Sequence, residues 1–240
     1  MNEQASSDTS LVLSYLGLRK AVGIIGTALP FVLAIGNLLF LEHLGIQTSI
    51  SAYYYTHMRN VFVGSLCAIA VFLMSYHGYE RRDHIAGVVA CAFGVGVALF
   101  PTTPKGEPLS AVGFFHLLFA ASFFLTLAYF SLVLFTQTDS PGSETRRKLQ
   151  RNRLYRVCGY TILACLALSV LGGLSRLVGL LSDDSLVMKL DPLFWLESVA
   201  VVVFGVSWLT KGETILKDEP TVTSSNAQRN PVGRGPGENL

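Results

Sequence analysis

Charged side chains are scarce in this sequence. Asp, Glu, Lys and Arg make up 14% of its 240 residues while apolar residues make up 51%, and soluble domains carry roughly 25% charged residues. The formal net charge is only +2, which is too small to favour nucleic-acid binding, so we expect no nucleic-acid partner. This composition indicates that the lipid bilayer is the main partner of the chain.

Cysteine pairs and metal-binding motifs are also lacking. The four cysteines all lie inside apolar runs and form no CxxC pair, which argues against a disulfide framework or a thiol redox motif. There is no HExxH motif and no histidine pair at helical spacing, so we expect no metal and no other cofactor. The N-terminal stretch MNEQASSDTS lacks the basic region of a signal peptide, and we expect the first apolar run to remain as a helix.

Six apolar runs approach the length of a membrane span, which needs roughly 20 residues to cross a hydrocarbon core of about 30 Å. They cover residues 22–41, 61–78, 85–100, 109–135, 157–174 and 192–209. The sequence therefore predicts an all-α fold, an integral membrane bundle of six transmembrane helices within residues 18–213. Residues 1–17 are expected to form a polar N-terminal tail, and residues 214–240 a disordered cytoplasmic C-terminal tail.

The distribution of Lys and Arg predicts the orientation of this bundle, because basic residues in short loops stay in the cytoplasm. With the N-terminus inside, all but four of the 18 basic residues are cytoplasmic, the exceptions being Arg59, Lys105, Arg176 and Lys189. An even number of spans then places both termini in the cytoplasm. We expect a multi-pass protein of the inner (plasma) membrane.

Ionisable residues interrupt the predicted spans at only three positions, His77, His116 and Glu197. A charged side chain at the centre of a bilayer costs about 2.5–3.5 kcal/mol on insertion scales, so it is expected to face the bundle interior and to find a partner there. Arg59 and His116 approach the outer end of the bundle, as Glu197 does. We therefore expect them to be the partners of the Glu197 carboxylate.

The stretch SISAYYYTHMRNVFVGS (residues 49–65) places three tyrosines, a histidine and an arginine against the second span. Tyrosine is favoured at the membrane interface, so simple anchoring is one interpretation of the triplet. The other is an outward-facing polar pocket that binds or conducts a lipid head group or a small ion. The predicted ligand-binding residues are Tyr54, Tyr55, His57, Arg59, His116 and Glu197.

The sequence leaves three other roles open. Glu197 and its partners can form a purely structural ion pair. His57, His116 and Glu197 can instead serve a membrane-embedded lipid hydrolase, as ligands of a metal ion or as bases, so whether the chain is an enzyme is undecided and no catalytic residue is assigned. Small residues spaced along the third span, Ala90, Gly94 and Ala98, would suit a homo-oligomer or a structural subunit of a membrane complex.

Four stretches resemble an uncharacterised bacterial family of six-span membrane proteins: YYYTHMRNVFVG (53–64), with the pattern YYYT-x-x-R-x-x-F-V-G, ALFPTTP (98–104), FFHLLFAASFFLTLAYF (114–130) and FWLE (194–197). The resemblance covers residues 18–213 and implies a fold without an activity. More loosely, the chain is similar to the membrane hydrolases of the ceramidase and progestin-receptor-like superfamily. Those enzymes use a histidine-rich zinc site over seven spans, whereas the last span here offers Glu197 and no histidine.

Overall fold

The computed structural model describes residues 2–40, 45–76, 80–137, 145–180 and 190–216. Within these ranges the chain forms six α-helices and no β-strand. They are α1 (Asn2–Leu39), α2 (Arg59–Met74), α3 (Arg81–Leu99), α4 (Ala111–Tyr129), α5 (Arg146–Leu177) and α6 (Pro192–Lys211). A short 3₁₀ helix, Ser51–Tyr55, precedes α2, and a π-helical turn, Phe130–Leu134, extends α4. The predicted all-α fold is confirmed.

Five of the described helices are long and apolar enough to cross a membrane: Tyr15–Leu39, Arg81–Leu99, Ala111–Leu134, Arg146–Arg176 and Pro192–Lys211. The remaining helix, α2, is apolar but has 16 residues, which corresponds to about 24 Å at 1.5 Å per residue. The chain is therefore an all-helical protein with five candidate membrane-spanning helices.

The first helix is longer than the first predicted span. It begins at Asn2, so the polar N-terminal segment forms the first turns of α1. Pro30 lies inside α1 without ending it. His77 and residues 217–240, which include most of the predicted C-terminal tail, lie outside the described residues.

The last helix packs between α1 and α5, while α3 packs against α2 and α4. Glycine is needed where α1 and α6 cross, because a Cβ atom on Gly205 would lie 2.6 Å from the backbone nitrogen of Thr27 and 2.7 Å from the carbonyl oxygen of Gly23. Small residues at such crossings let two helices approach closely in a membrane. This contact fixes the position of α6, which carries Glu197.

One end of the bundle is filled by aromatic rings around the C-terminal part of α6. Trp208 is 1% exposed, and the rings of Tyr76, Phe130 and Phe135 pack edge-on or tilted against its indole with centroids 5.1 to 5.7 Å away. Such arrangements are favourable between aromatic quadrupoles. We call these four residues the aromatic cluster.

Candidate functional site

The segment between α1 and α2 folds into the other end of the bundle. Within residues 45–58, here called the plug segment, Ile50, Tyr53 and Met58 are each at most 5% exposed. The hydroxyl of Ser49 accepts a hydrogen bond from the N–H of Ala52 at 3.0 Å, which stabilises the chain at the start of the 3₁₀ helix. The plug segment is therefore packed into this end of the bundle.

Glu197 is bonded to the backbone of the plug segment. Its Oε2 accepts a hydrogen bond from the N–H of Ile50 at 2.7 Å. This N–H group lies directly before the 3₁₀ helix, where helical turns leave donors without an internal partner and favour a negative charge. The carboxylate on α6 thus holds the plug segment in place.

His116 is also buried, with 3% of its surface exposed. Its Nδ1 lies 2.6 Å from the carbonyl oxygen of Phe100, directly after α3. A carbonyl can only accept, so Nδ1 donates, and in a neutral imidazole Nε2 is then the acceptor nitrogen. The bond satisfies a carbonyl at the end of α3 and fixes the ring orientation on α4.

His116 and Glu197 line the same cavity, which has a volume of about 50 Å³. Its walls are otherwise mostly apolar and come from five helices and the plug segment, including Leu29, Phe62, Val97, Phe123 and Phe204. A cavity of this size has room for a few water molecules or a small ion. Two ionisable side chains from separate helices, α4 and α6, therefore face the same space inside the bundle.

The other four predicted ligand-binding residues do not line this cavity. The Arg59 guanidinium lies 4.2 Å from the centroid of the Tyr54 ring and donates to its hydroxyl at 2.6 Å. The Tyr55 hydroxyl donates to the carbonyl of Thr102 at 2.6 Å, which links the plug segment to the loop after α3. His57 stacks on Phe40 with the ring centroids 5.7 Å apart.

Among the described residues, Glu197 consequently forms no hydrogen bond or ion pair with either of its two expected partners, Arg59 and His116. Among the described residues no ion pair joins Arg59 to Glu197, since the carboxylate bonds to the backbone N–H of Ile50 while the guanidinium binds the hydroxyl of Tyr54. Arg59 is exposed, whereas Glu197 is mostly buried. The interaction between α6 and the plug segment therefore depends on the backbone of the plug.

Sequence reasoning missed Tyr53, which is fully buried. Its ring packs against Phe194 with centroids 6.3 Å apart, and its hydroxyl accepts a hydrogen bond from the N–H of Gln47 at 3.5 Å. Burial raises the pKa of the Tyr53 phenol. No sequence signal distinguishes the three adjacent tyrosines, although one is buried, one binds Arg59 and one binds a neighbouring loop.

Within the described ranges, no three side chains of the His, Cys, Asp and Glu types come together as metal ligands. His57 lies against Phe40, apart from the lining of the cavity that His116 and Glu197 share. Comparison with protein-family models, curated proteins and solved structures finds no match to this chain.

Proposed function

We propose that the protein is a six-span protein of the inner (plasma) membrane, with both termini in the cytoplasm, that binds or conducts a small cation at the cavity between His116 and Glu197. The observation that carries the proposal is the shared cavity itself. An intramembrane carboxylate and an imidazole on different helices face a common space, and such residues in membrane spans are commonly functional.

The volume favours a small ion over a lipid head group. About 50 Å³ holds a few water molecules, whereas a lipid head group with its phosphate is several times larger. The chemistry favours a cation or a proton, because the Glu197 carboxylate and the acceptor nitrogen of a neutral His116 are both electron-pair donors. Entry from the outer side would require movement of the plug segment, which Glu197 holds through the N–H of Ile50.

The six-span topology combines the five long helices with α2. At about 24 Å, α2 is shorter than a typical hydrocarbon core, and local thinning of the bilayer can accommodate such a helix at modest cost. The plug segment, directly before α2, is buried against the bundle and would extend the protein on that side.

The test is ion flux through the full-length protein in sealed vesicles that contain a pH-sensitive or cation-sensitive dye. We expect wild-type vesicles to dissipate an imposed proton, sodium or potassium gradient, or the purified protein to be stabilised by one of these ions. Glu197→Gln, which keeps a hydrogen-bond acceptor but removes the charge, should abolish the effect, and so should His116→Phe.

Glu107→Gln is the matched control, because it makes the same charge change in an exposed loop. It should behave as wild type. The proposal fails if Glu197→Gln and His116→Phe retain the wild-type flux and stabilisation. It also fails if the wild-type protein shows neither flux nor ion-dependent stabilisation.

A further inference from the structure

A groove with a volume of about 710 Å³ lies between α1, α2 and α6, and we call it the lateral groove. It shares no lining residue with the cavity between His116 and Glu197. Its lining is apolar except for the hydroxyl of Thr27, and most of it comes from α1. Ligand sites of roughly 300–1,000 Å³ are typically apolar clefts with a few polar groups. The lateral groove therefore has the size and the lining of a site for an apolar ligand.

Small and large residues alternate along the part of α1 that lines the lateral groove. Ala28 and Gly36 are partly buried, whereas Phe31 and Ile35 are 57% and 58% exposed. The side chain of Met58 packs onto α1 at Gly36, where an added Cβ atom would collide with it. The small residues thus leave a space between their larger neighbours that a ligand can fill.

The lateral groove runs along α1 and is closed at one end. Leu209 of α6 lines that end, where the two helices cross so closely that a Cβ atom on Gly23 would lie 2.6 Å from its Cγ. From Ile24 to Leu39, the lining stretch of α1 measures about 22 Å at 1.5 Å per residue. One leaflet supplies about half of a hydrocarbon core of about 30 Å. The groove is therefore long enough for an acyl chain of one leaflet.

The lateral groove is continuous with the surface that the bilayer covers. α1 contains one of the five candidate membrane-spanning helices, and its lining residues Ile24, Val32 and Leu39 are 58%, 45% and 74% exposed. The hydrocarbon region of a membrane holds no water that could cover such a surface. An acyl chain can therefore enter the groove directly from the surrounding lipid.

Polar side chains lie beside the other end of the lateral groove. The ring of His57 stacks on Phe40, which lines the groove, with the centroids 5.7 Å apart. Arg59 is exposed and directly follows Met58, another lining residue. The basic residues of the chain predict that this end lies at the outer side of the membrane. The groove thus combines an apolar body with a cationic side chain near its outer end.

The guanidinium of Arg59 has donors available for an anion. Among the described residues its hydrogen bond goes to the hydroxyl of Tyr54 at 2.6 Å, and a guanidinium carries five N–H donors. No carboxylate in the described part of the chain lies within ion-pair distance of it. The Tyr54 ring, 4.2 Å from the guanidinium, helps to hold it at the start of α2. Because arginine matches the oxygens of a phosphate in pairs, this position is complementary to a phosphate group.

We propose that the lateral groove binds one acyl chain of a phospholipid of the outer leaflet, with the phosphate of that lipid at Arg59. The apolar lining holds the chain, and the guanidinium fixes the head group. This lipid site is separate from the cavity of His116 and Glu197, so it does not depend on ion binding there.

Photolabelling of the full-length protein tests the proposal. The delipidated protein in a non-ionic detergent is titrated with phosphatidylglycerol that carries a diazirine on one acyl chain, and mass spectrometry locates the label after irradiation. We expect saturable labelling of the lining stretches of α1 and α2. The exposed face of α5 serves as the reference for a lipid-facing surface outside the groove and should be labelled weakly and without saturation.

Two variants act on the two parts of the site. Ala28→Phe places a ring in the lateral groove and should reduce its labelling at least fivefold. Arg59→Gln should raise the lipid concentration for half-saturation about fivefold, as expected for loss of one basic residue at a lipid surface. Since Arg59 is exposed, this second variant tests the site even if Ala28→Phe impairs folding.

Each variant has a matched control. Ala164→Phe makes the same change at an exposed position of α5, and Lys105→Gln removes an exposed positive charge from the loop after α3. Both should be labelled as wild type.

Three results would overturn the proposal. In the first, label spreads equally over the exposed faces of α1 and α5. In the second, folded Ala28→Phe and Arg59→Gln proteins are labelled like their controls. In the third, the lining of the groove stays unlabelled while light scattering shows a dimer, which would mean that a second copy of the chain covers it.

Discussion

The carboxylate of Glu197 accepts a hydrogen bond from the backbone N–H of Ile50 at 2.7 Å, across 147 positions of sequence. This bond connects α6 to the plug segment, whose residues Ile50 and Ser51 line the cavity that Glu197 and His116 share. Any change of charge or position at Glu197 therefore acts both on the proposed ion-binding site and on the contact with the plug segment.

Glu197→Ala should destabilise the protein more than Glu197→Gln. Alanine leaves the buried N–H of Ile50 without an acceptor, which costs about 1–3 kcal/mol, whereas the amide oxygen of glutamine can still accept. Unfolding in a single detergent, followed by circular dichroism, measures the difference.

Val199→Ala is the reference for loss of side-chain volume on the same helix, because Val199 is 44% exposed. If Glu197→Ala and Val199→Ala lower the free energy of unfolding by the same amount relative to wild type, the bond to Ile50 contributes nothing to stability.

The sequence predicted part of this arrangement for a clear physical reason. Glu197 and His116 stand out because ionisable residues are expensive in membrane spans, and that cost predicted that they face the interior. The partner of Glu197 could not be predicted in this way, since a backbone N–H carries no signature in the sequence. Its availability depends on the 3₁₀ turn of the plug segment, which only the fold defines.

Arg59 illustrates a competing local interaction. Tyr54 is five positions away and offers the Arg59 guanidinium both a ring face and a hydroxyl, while the carboxylate of Glu197 is already bonded to the backbone N–H of Ile50. The same limitation applies to Arg151 and Lys211: their charges are visible in the sequence, but their burial depends on how α5 and α6 pack.

Gly205→Ala should destabilise the contact between α1 and α6. The added methyl group would lie 2.6 Å from the backbone nitrogen of Thr27, so the helices must separate, and overpacking of this kind costs about 1–3 kcal/mol. Gly172→Ala is the control, because nothing lies within 4 Å of a Cβ built at that position on α5. Thermal unfolding should show a lower midpoint for Gly205→Ala alone, and equal midpoints would contradict the close crossing.

Tyr55→Phe should loosen the connection between the plug segment and the loop after α3. It removes the hydroxyl that donates to the Thr102 carbonyl at 2.6 Å. A hydrogen bond of this kind contributes about 0.5–1.5 kcal/mol to stability. Hydrogen exchange of the amides in residues 102–107 should become faster. Tyr160→Phe, at a side chain 64% exposed on α5, should leave this exchange unchanged, and an unchanged rate in Tyr55→Phe would mean that the bond does not restrain the loop.

The proposed six-span topology depends on whether α2 crosses the membrane. Asn60 lies at its start and Arg81 begins α3, so if α2 crosses the membrane these two exposed positions lie on opposite sides. The basic residues predict that Asn60 is outside. In intact cells, a membrane-impermeant maleimide should therefore label Asn60→Cys, whereas Arg81→Cys should be labelled only after permeabilisation.

The native cysteines Cys67 and Cys91 lie within helices and are partly buried, and the parent protein measures their background. Labelling of both variants from the same side would show that α2 does not cross, and the termini would then lie on opposite sides of the membrane.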